Sequence, residues 1–488
     1  MTRKISIDPI TRLEGHGKIE IFLTDDGAVE DCFFQIPELR GFERFVVGRP
    51  IEELPRLVTR ICGVCPASHH MASAKAVDGC FGGQVAPLAV KLRRLYYNAH
   101  FMHSHIAHFY ALAAPDFVVG PDADPAQRNI LGVVAKVGLE IGGTVIKARA
   151  QAQEIQRIVG GRSTQDIWCI PGGVAKGLKE DELEQIRPMV DELYDFAVFS
   201  LQLFRDVVLG NKAYVDIIVH GPYALDVQNM GLVDENNAPD FYDGMVRVVD
   251  FEGNEICRYA AKEYTDYVAE HVEPWTYLKF PYLKQRGWKG FVEGIDSSIY
   301  CATPLARLNV ADRMATPKAQ EAFEEMYATL DEHPSRLLLA QHWARLVEMV
   351  QNAEAMRDLC ADPEITGDQF RVIPEQVTGE GIAIVEAMRG TLTHHYTCDE
   401  NAICTSANLI VGTTNNNAPI QMVTKKVAQA MIAPGKEPDQ GILNMVEMAF
   451  RAFDPCFSCA THSLPGEMPL QITFHKAGKV WRELRRNC

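Results

Sequence analysis

Apolar residues alternate with polar ones at the start of the chain, at Ile5 and Ile7 and again at Ile19, Ile21 and Leu23. A period of two marks half-buried strands, and Thr24-Asp25-Asp26-Gly27 supplies hairpin punctuation, so a small antiparallel sheet is predicted there. From about residue 51 the period lengthens to three and four. The windows 86–113, 133–158, 181–208 and 317–358 carry it long enough to predict long helices, with Pro334 dividing the last into two. The stretches 120–125, 171–173 and 209–315 are rich in Pro and Gly and are read as loop-forming, and 370–425 as strands and turns. The predicted fold class is α+β, predominantly helical: a long-helix bundle core with small peripheral β-sheets.

Composition narrows the function. The 488 residues are 47% hydrophobic and 23% charged, and no apolar run approaches the roughly 18 residues of a membrane span. The start, Met-Thr-Arg-Lys-Ile-Ser-Ile-Asp-Pro, lacks the apolar core of a secretory signal, so a cytoplasmic location is expected. A net charge of −16 argues against a nucleic-acid partner, which needs a basic face. The Gly-Gly pairs lack the context of a nucleotide-cradling loop.

Thirteen cysteines is a high and odd count, and no disulfide framework is expected in a chain this long, because that strategy belongs to small secreted domains. Cys32, Cys80, Cys169, Cys257, Cys301, Cys360, Cys398 and Cys404 are read as small buried hydrophobes. The other chemistry-bearing cysteines form two Cys-x-x-Cys pairs, Cys62/Cys65 and Cys456/Cys459, at opposite ends of the chain. Each spacing lets two sulfurs turn toward one point. Four converging thiolates would suit zinc, an iron–sulfur cluster or a nickel–iron centre. Such a site would require both ends of the chain to share one core. His100, His103, His105 and His108 are spaced so that they scatter around a helix, and no ligand face is expected from them.

The residues flanking the two pairs carry more. Arg60-Ile61-Cys62-Gly63-Val64-Cys65 with His69, and Asp454-Pro455-Cys456-Phe457-Ser458-Cys459 with His462, resemble the two signatures of nickel–iron hydrogenase large subunits. The resemblance continues through Asp8–Pro9 to His16, Arg40-Gly41-Phe42-Glu43, His108-Phe109-Tyr110 with Asp116, and Glu386-Ala387-Met388-Arg389-Gly390. These blocks span nearly the whole chain. The stretches at 40–45, 124–129, 170–173 and 279–284 are similar to the cytoplasmic bidirectional, NAD-linked branch.

The resemblance implies reversible heterolytic cleavage of H2. By position, Cys62 and Cys456 match terminal nickel thiolates, and Cys65 and Cys459 match thiolates bridging nickel to an iron that carries carbon monoxide and cyanide. Cys456 would take the proton and Glu14 would relay it. Arg389 and Asp116 match a polar canopy, where Met388 replaces the family's usual proline and is expected to loosen the loop. His69 would donate to a bridging sulfur. Glu43 and His462 would hold a second ion, magnesium or iron. The implied partners are an iron–sulfur small subunit, flavin-bearing diaphorase-type subunits that pass electrons to NAD(P) or ferredoxin, a nickel chaperone and a maturation endopeptidase.

Residues 1–462 are read as a single domain with both termini in the core, and 463–488, with the alternating Leu470–Phe474, as an extension removed during maturation. Three rivals remain. The quinone-binding subunit of respiratory complex I shares the ancestry but lacks the four thiolates. The others are an H2-sensing regulator and a structural zinc or iron–sulfur protein.

Overall fold

The computed structural model describes residues 3–434 and 438–462, together with the backbone of two strands, Leu470–Lys476 and Lys479–Arg486. The opening alternation forms β1 (Arg3–Ile7), β2 (Lys18–Leu23) and β3 (Val29–Gln35), an antiparallel sheet with Ile19, Ile21 and Leu23 on its buried face. The helical windows give α1 (Pro66–Cys80), α2 (Pro87–Ala107), α3 (Ile130–Val137), α4 (Leu139–Gly160) and α5 (Glu180–Phe204), then α6 (Pro317–Leu330) and α7 (Gln341–Ala361) on either side of Pro334. Helices α2, α4, α5 and α7 pack on one another as the bundle. The window 133–158 splits because Gly138, at φ 92°, adopts a conformation that ends α3 before α4 begins.

Two expectations need correction. The stretch 209–315 is not mainly loop: it holds helix Lys212–His220 and a four-stranded sheet of β4 (Gln228–Val233), β5 (Met245–Val249), β6 (Glu255–Tyr259) and β7 (Tyr300–Cys301), in the order β7-β4-β5-β6. Strand β4 is buried on both faces, so its sequence shows no alternation. The stretch 370–425 contains β8 (Glu380–Ala387), β9 (Gly390–Cys398) and β10 (Cys404–Ile410) as foreseen, but ends in α8 (Asn417–Met431). A further helix, α9 (Gln440–Arg451), precedes the second cysteine pair.

One apolar core runs from Ile10 to Ala460 and takes in all four cysteines of the two pairs. No helix among the described residues is long and apolar enough to cross a membrane. The predicted alternation at 470–474 falls in Leu470–Lys476, which pairs antiparallel with Lys479–Arg486; the rest of 463–488 lies outside the described residues.

Candidate metal centre

The first cysteine pair sits where a one-turn helix, Val58–Ile61, gives way to α1. Pro66 occupies the first helical position, and Cys65 caps the helix, placing its sulfur at the positive end of a 15-residue helix. Cys62 Sγ accepts from the amides of Val64 (3.2 Å) and Cys65 (3.3 Å). The second pair follows α9 in a tight turn, with Cys459 N donating to Cys456 O at 3.2 Å.

The two ends of the chain meet here. Cys62 Sγ lies 3.1 Å from Cys456 Sγ, Cys65 Sγ 3.2 Å from Cys459 Sγ, and Cys456 Sγ 2.9 Å from Cys459 Sγ. All four sulfurs lie within 4.8 Å of one another and all are buried; no other such group of metal-ligating side chains occurs among the described residues. S–H donation from Cys456 and Cys459 holds the Cys62 thiol well below its usual value, whereas burial pushes Cys456 and Cys459 well above theirs. Ionising all four sulfurs, so close and so dry, would take a cation between them, and sulfur donors favour a soft one.

The first strand pair delivers Glu14. Residue 14 bridges to Cys456 in parallel register, and Phe457 N donates to Glu14 O at 3.1 Å. The approach is possible because residue 15 is glycine: at φ 90°, a Cβ there would stand 3.0 Å from Ser458 N. Glu14 Oε2 then lies 3.0 Å from Cys456 Sγ and accepts from Ser458 N at 3.1 Å. The side chain is half-buried, with one end at the sulfur.

Arg389 projects from a two-residue turn, Met388–Arg389, between β8 and β9. Its carboxylate partner is Asp454 (3.0 Å), and it also donates to Ser104 Oγ. Burial works to lower its pKa, but Asp454 and the sulfurs of Cys65, Cys456 and Cys62 outweigh it and raise it, so the guanidinium stays charged beside the sulfurs. Asp116 is not brought to Arg389. It accepts instead from Arg12, Arg451 (2.7 Å) and Asn444 (3.0 Å), an ion network that ties β1–β2 to α9. Nor is the turn loose for want of proline. Met388 is fully buried, Arg307 donates to the carbonyls of Ala387 (2.8 Å) and Met388 (3.4 Å), and Asn416 Nδ2 donates to Arg389 O at 2.8 Å.

His69 Nε2 lies 3.4 Å from Cys459 Sγ, and its Nδ1 is 3.2 Å from His394 Nε2; His394 in turn reaches Tyr396 at 2.6 Å. Burial lowers the His69 pKa to about 4, so the ring is neutral and carries a single N–H, placed between the Cys459 sulfur on one side and His394 on the other. His394 and Tyr396 were not singled out by the sequence, although their alternation on β9 puts both on one face of the strand.

Glu43 accepts from Leu409 N at 2.8 Å and lies 3.4 Å from the Lys279 ammonium, which is shared with Glu270. His462 is buried, and its ring packs edge-on against Phe42 and His69. Lys279 and Glu270 are additions that sequence reasoning missed. The histidines at 100, 103, 105 and 108 share no ligand group: His100 stacks on His103, His105 binds Glu348 at 2.8 Å, and His108, just past α2, lies 3.0 Å from Asp454.

These imidazoles set an acid limit on the fold. Burial lowers His70 to about 4, His103 to about 3 and His108 to about 4. Above pH 6.5 they are neutral whether folded or not. As pH falls from 6.5 toward 4 only the unfolded chain gains protons, so stability is lost across that window, by about 3 kcal/mol per imidazole at its lower end. Chemical denaturation is expected to show a midpoint falling steeply between pH 6.5 and 4; a flat midpoint would contradict this.

Fold and site together define a metalloprotein whose buried centre is closed by thiolates from both ends of one chain. The family model for nickel-dependent hydrogenases matches residues 40–131 and 144–462, and one described as HoxL-like matches 4–39. The chain belongs to the nickel-dependent hydrogenase family and is a catalytic large subunit of the nickel–iron type. It is 48% identical to an F420-non-reducing hydrogenase iron-sulfur subunit of Archaeoglobus profundus, covering 99% of each chain. It is 38% identical to the NAD-reducing hydrogenase HoxS subunit beta of Cupriavidus necator, covering 100% of each. A solved NAD+-reducing nickel–iron hydrogenase in its H2-reduced state superimposes with a TM-score of 0.88 at 37% identity, over 94% of this chain and 100% of that one.

Proposed function

We propose that the chain cleaves and forms H2 reversibly at a nickel–iron centre held by Cys62, Cys65, Cys456 and Cys459, with carbon monoxide and cyanide on the iron. The observation that carries this reading is the convergence of four buried sulfurs from the two chain ends, with Glu14 against one of them. When bound, such a centre supplies a site for H2 and the polarisation that splits it heterolytically.

The chain's own residues manage the proton. Cys456 Sγ holds it, and Glu14 Oε2, 3.0 Å away, takes it over. The Ser458 amide fixes that carboxylate oxygen, and the half-buried position of Glu14 lets the proton pass outward. His69, 3.4 Å from Cys459 Sγ, orients that sulfur. Arg389, charged and locked by Asp454, lays a positive canopy beside the sulfurs and offers donors to an anionic diatomic ligand. Asp116 supports that canopy indirectly, by fixing Arg12 and α9 beneath the second cysteine pair. The buried ring of His462 and the carboxylate of Glu43 would hold a second ion, magnesium or iron, at that end.

Electrons leave through iron–sulfur clusters of a small partner subunit, and reach NAD(P) or ferredoxin through flavin-bearing diaphorase-type subunits. On this reading the complex works in the cytoplasm. Residues 1–462 act as one domain, and 463–488 are a maturation extension cut after His462 once a nickel chaperone has loaded the site. Its support is that the family match stops at residue 462.

H2-dependent reduction of viologen dyes by the purified complex, with about one nickel per chain by elemental analysis, is the expected result. Turnover at enzyme rates also separates this reading from an H2 sensor. Zinc or iron without nickel in an inactive complex would overturn it. Mass spectrometry of the active protein is expected to find a chain ending at His462, and an intact Cys488 there would refute the processing step.

A further inference from the structure

One face of helix α4 is left uncovered by the described residues. The opposite face, with Ala148, Ala152, Ile155 and Val159, is buried in the bundle. One flank lies under α3, where a Cβ on Gly142 would stand 3.2 Å from the Val134 side chain. The other meets α5, where Gln151 donates to Glu192 at 2.7 Å. Between the flanks Leu139, Gly143, Ile146 and Ala150 follow at steps of four, three and four. All four are exposed, Leu139 at 84% and Ile146 at 71%, and a Cβ on Gly143 would meet nothing within 4 Å.

Steps of four and three keep side chains on one stripe, the seam along which two helices interlock. A helix face meant for water carries polar residues there instead. The order of sizes decides what the stripe fits. It runs large, small, large, small; turned end over end, it runs small, large, small, large. A second copy of α4, laid antiparallel about a two-fold axis beside Thr144 and Val145, sets Leu139 against the second copy's Ala150 and Ile146 against its Gly143. Each bulge meets a hollow. A parallel pair would set Leu139 on Leu139 and Gly143 on Gly143, which leaves holes at the small layers.

The charges agree with the same axis. Glu140 and Lys147, seven residues apart, share one edge of the stripe, and both are exposed. In an antiparallel pair like edges meet, so Glu140 faces the second copy's Lys147, and symmetry makes the contact twice. Lys147 also reaches Glu192 within its own chain, yet 62% of its side chain stays exposed. On the other edge Arg149 comes over the second copy's Gly142, where no side chain stands in its way.

We propose that this face is a homotypic interface: α4 pairs antiparallel with α4 of a second copy of the chain, joining two complexes through their large subunits. From Leu139 to Ala150 the helix rises about 17 Å. A contact that short is small, so the pairing depends on concentration.

The test is sedimentation velocity of the purified complex at increasing concentration. The expected result is a shift from the mass of one complex to that of two, with subunit composition unchanged. Gly143→Leu discriminates best. It adds apolar surface at an open position, so unspecific apolar association would strengthen. A filled hollow cannot take Ile146, however, and the proposal expects pairing weaker by about tenfold or more. Glu140→Lys should weaken pairing too, and Glu140→Lys combined with Lys147→Glu should restore it. If Gly143→Leu fails to assemble, the charge pair decides alone. Three results would overturn the proposal: one complex's mass at every concentration, a pair that both variants leave intact, or loss of another subunit in the variants. The last would mean that a partner subunit covers the face.

Discussion

Exchanging Glu14 for glutamine is expected to lower H2 turnover by about 10²–10⁴-fold, the range that a positioned proton-transfer group supplies, while nickel content stays unchanged. The amide keeps the size of the side chain and can still accept from Ser458 N, so the local fold should persist. What it loses is the ability to carry a proton away from Cys456 Sγ, 3.0 Å off. Glu14→Asp is a graded control: it retains a carboxyl but draws it back from the sulfur, and should fall between wild type and Glu14→Gln. Steady-state viologen reduction alongside metal analysis measures both. Full activity in Glu14→Gln would mean that the proton leaves another way.

The second large effect lies beneath Arg389. Arg307 is completely buried between two carboxylates, 2.7 Å from Glu348 and 3.0 Å from Glu386, and also donates to the carbonyls of Ala387 and Met388. Burial alone would raise Glu348, but Arg307 and His105 outweigh it and hold the carboxyl at about 2. Arg307→Met therefore strands two buried carboxyls and frees the turn that aims Arg389. Breaking such a pair from one side costs about 3–5 kcal/mol. The unfolding midpoint should drop accordingly, and Arg307→Met combined with Glu348→Gln should recover part of the loss, because one stranded charge is gone. A single variant as stable as wild type would show that the network contributes no net stability.

The sequence made the metal centre legible because its chemistry is local. Each Cys-x-x-Cys pair is a short-range pattern, whereas Glu14 and His69 were marked only by the resemblance of the residues around them to a known family. The fold was legible where burial is one-sided: β1–β3 alternate and the long helices carry stripes. It failed where burial is total, as in β4. It failed again at α8, whose start, Thr413-Thr414-Asn415-Asn416-Asn417, has the composition of an exposed turn. In the structure those side chains are buried clamps: Asn415 donates to Thr391 O, Asn416 to Arg389 O and Asn417 to Lys279 O.

Long-range pairing of charges was the other blind spot. Five buried arginines and several acids could be matched in many ways, and only packing decides that Asp454 takes Arg389 while Asp116 takes Arg12 and Arg451.

Infrared spectroscopy of the purified complex tests the central claim most directly. Sulfurs from the first and last parts of the chain enclosing one nickel–iron centre predict sharp absorptions from metal-bound carbon monoxide and cyanide, in a region where polypeptide is silent, shifting when H2 is admitted. A complex that turns over H2 yet shows no such bands would contradict it.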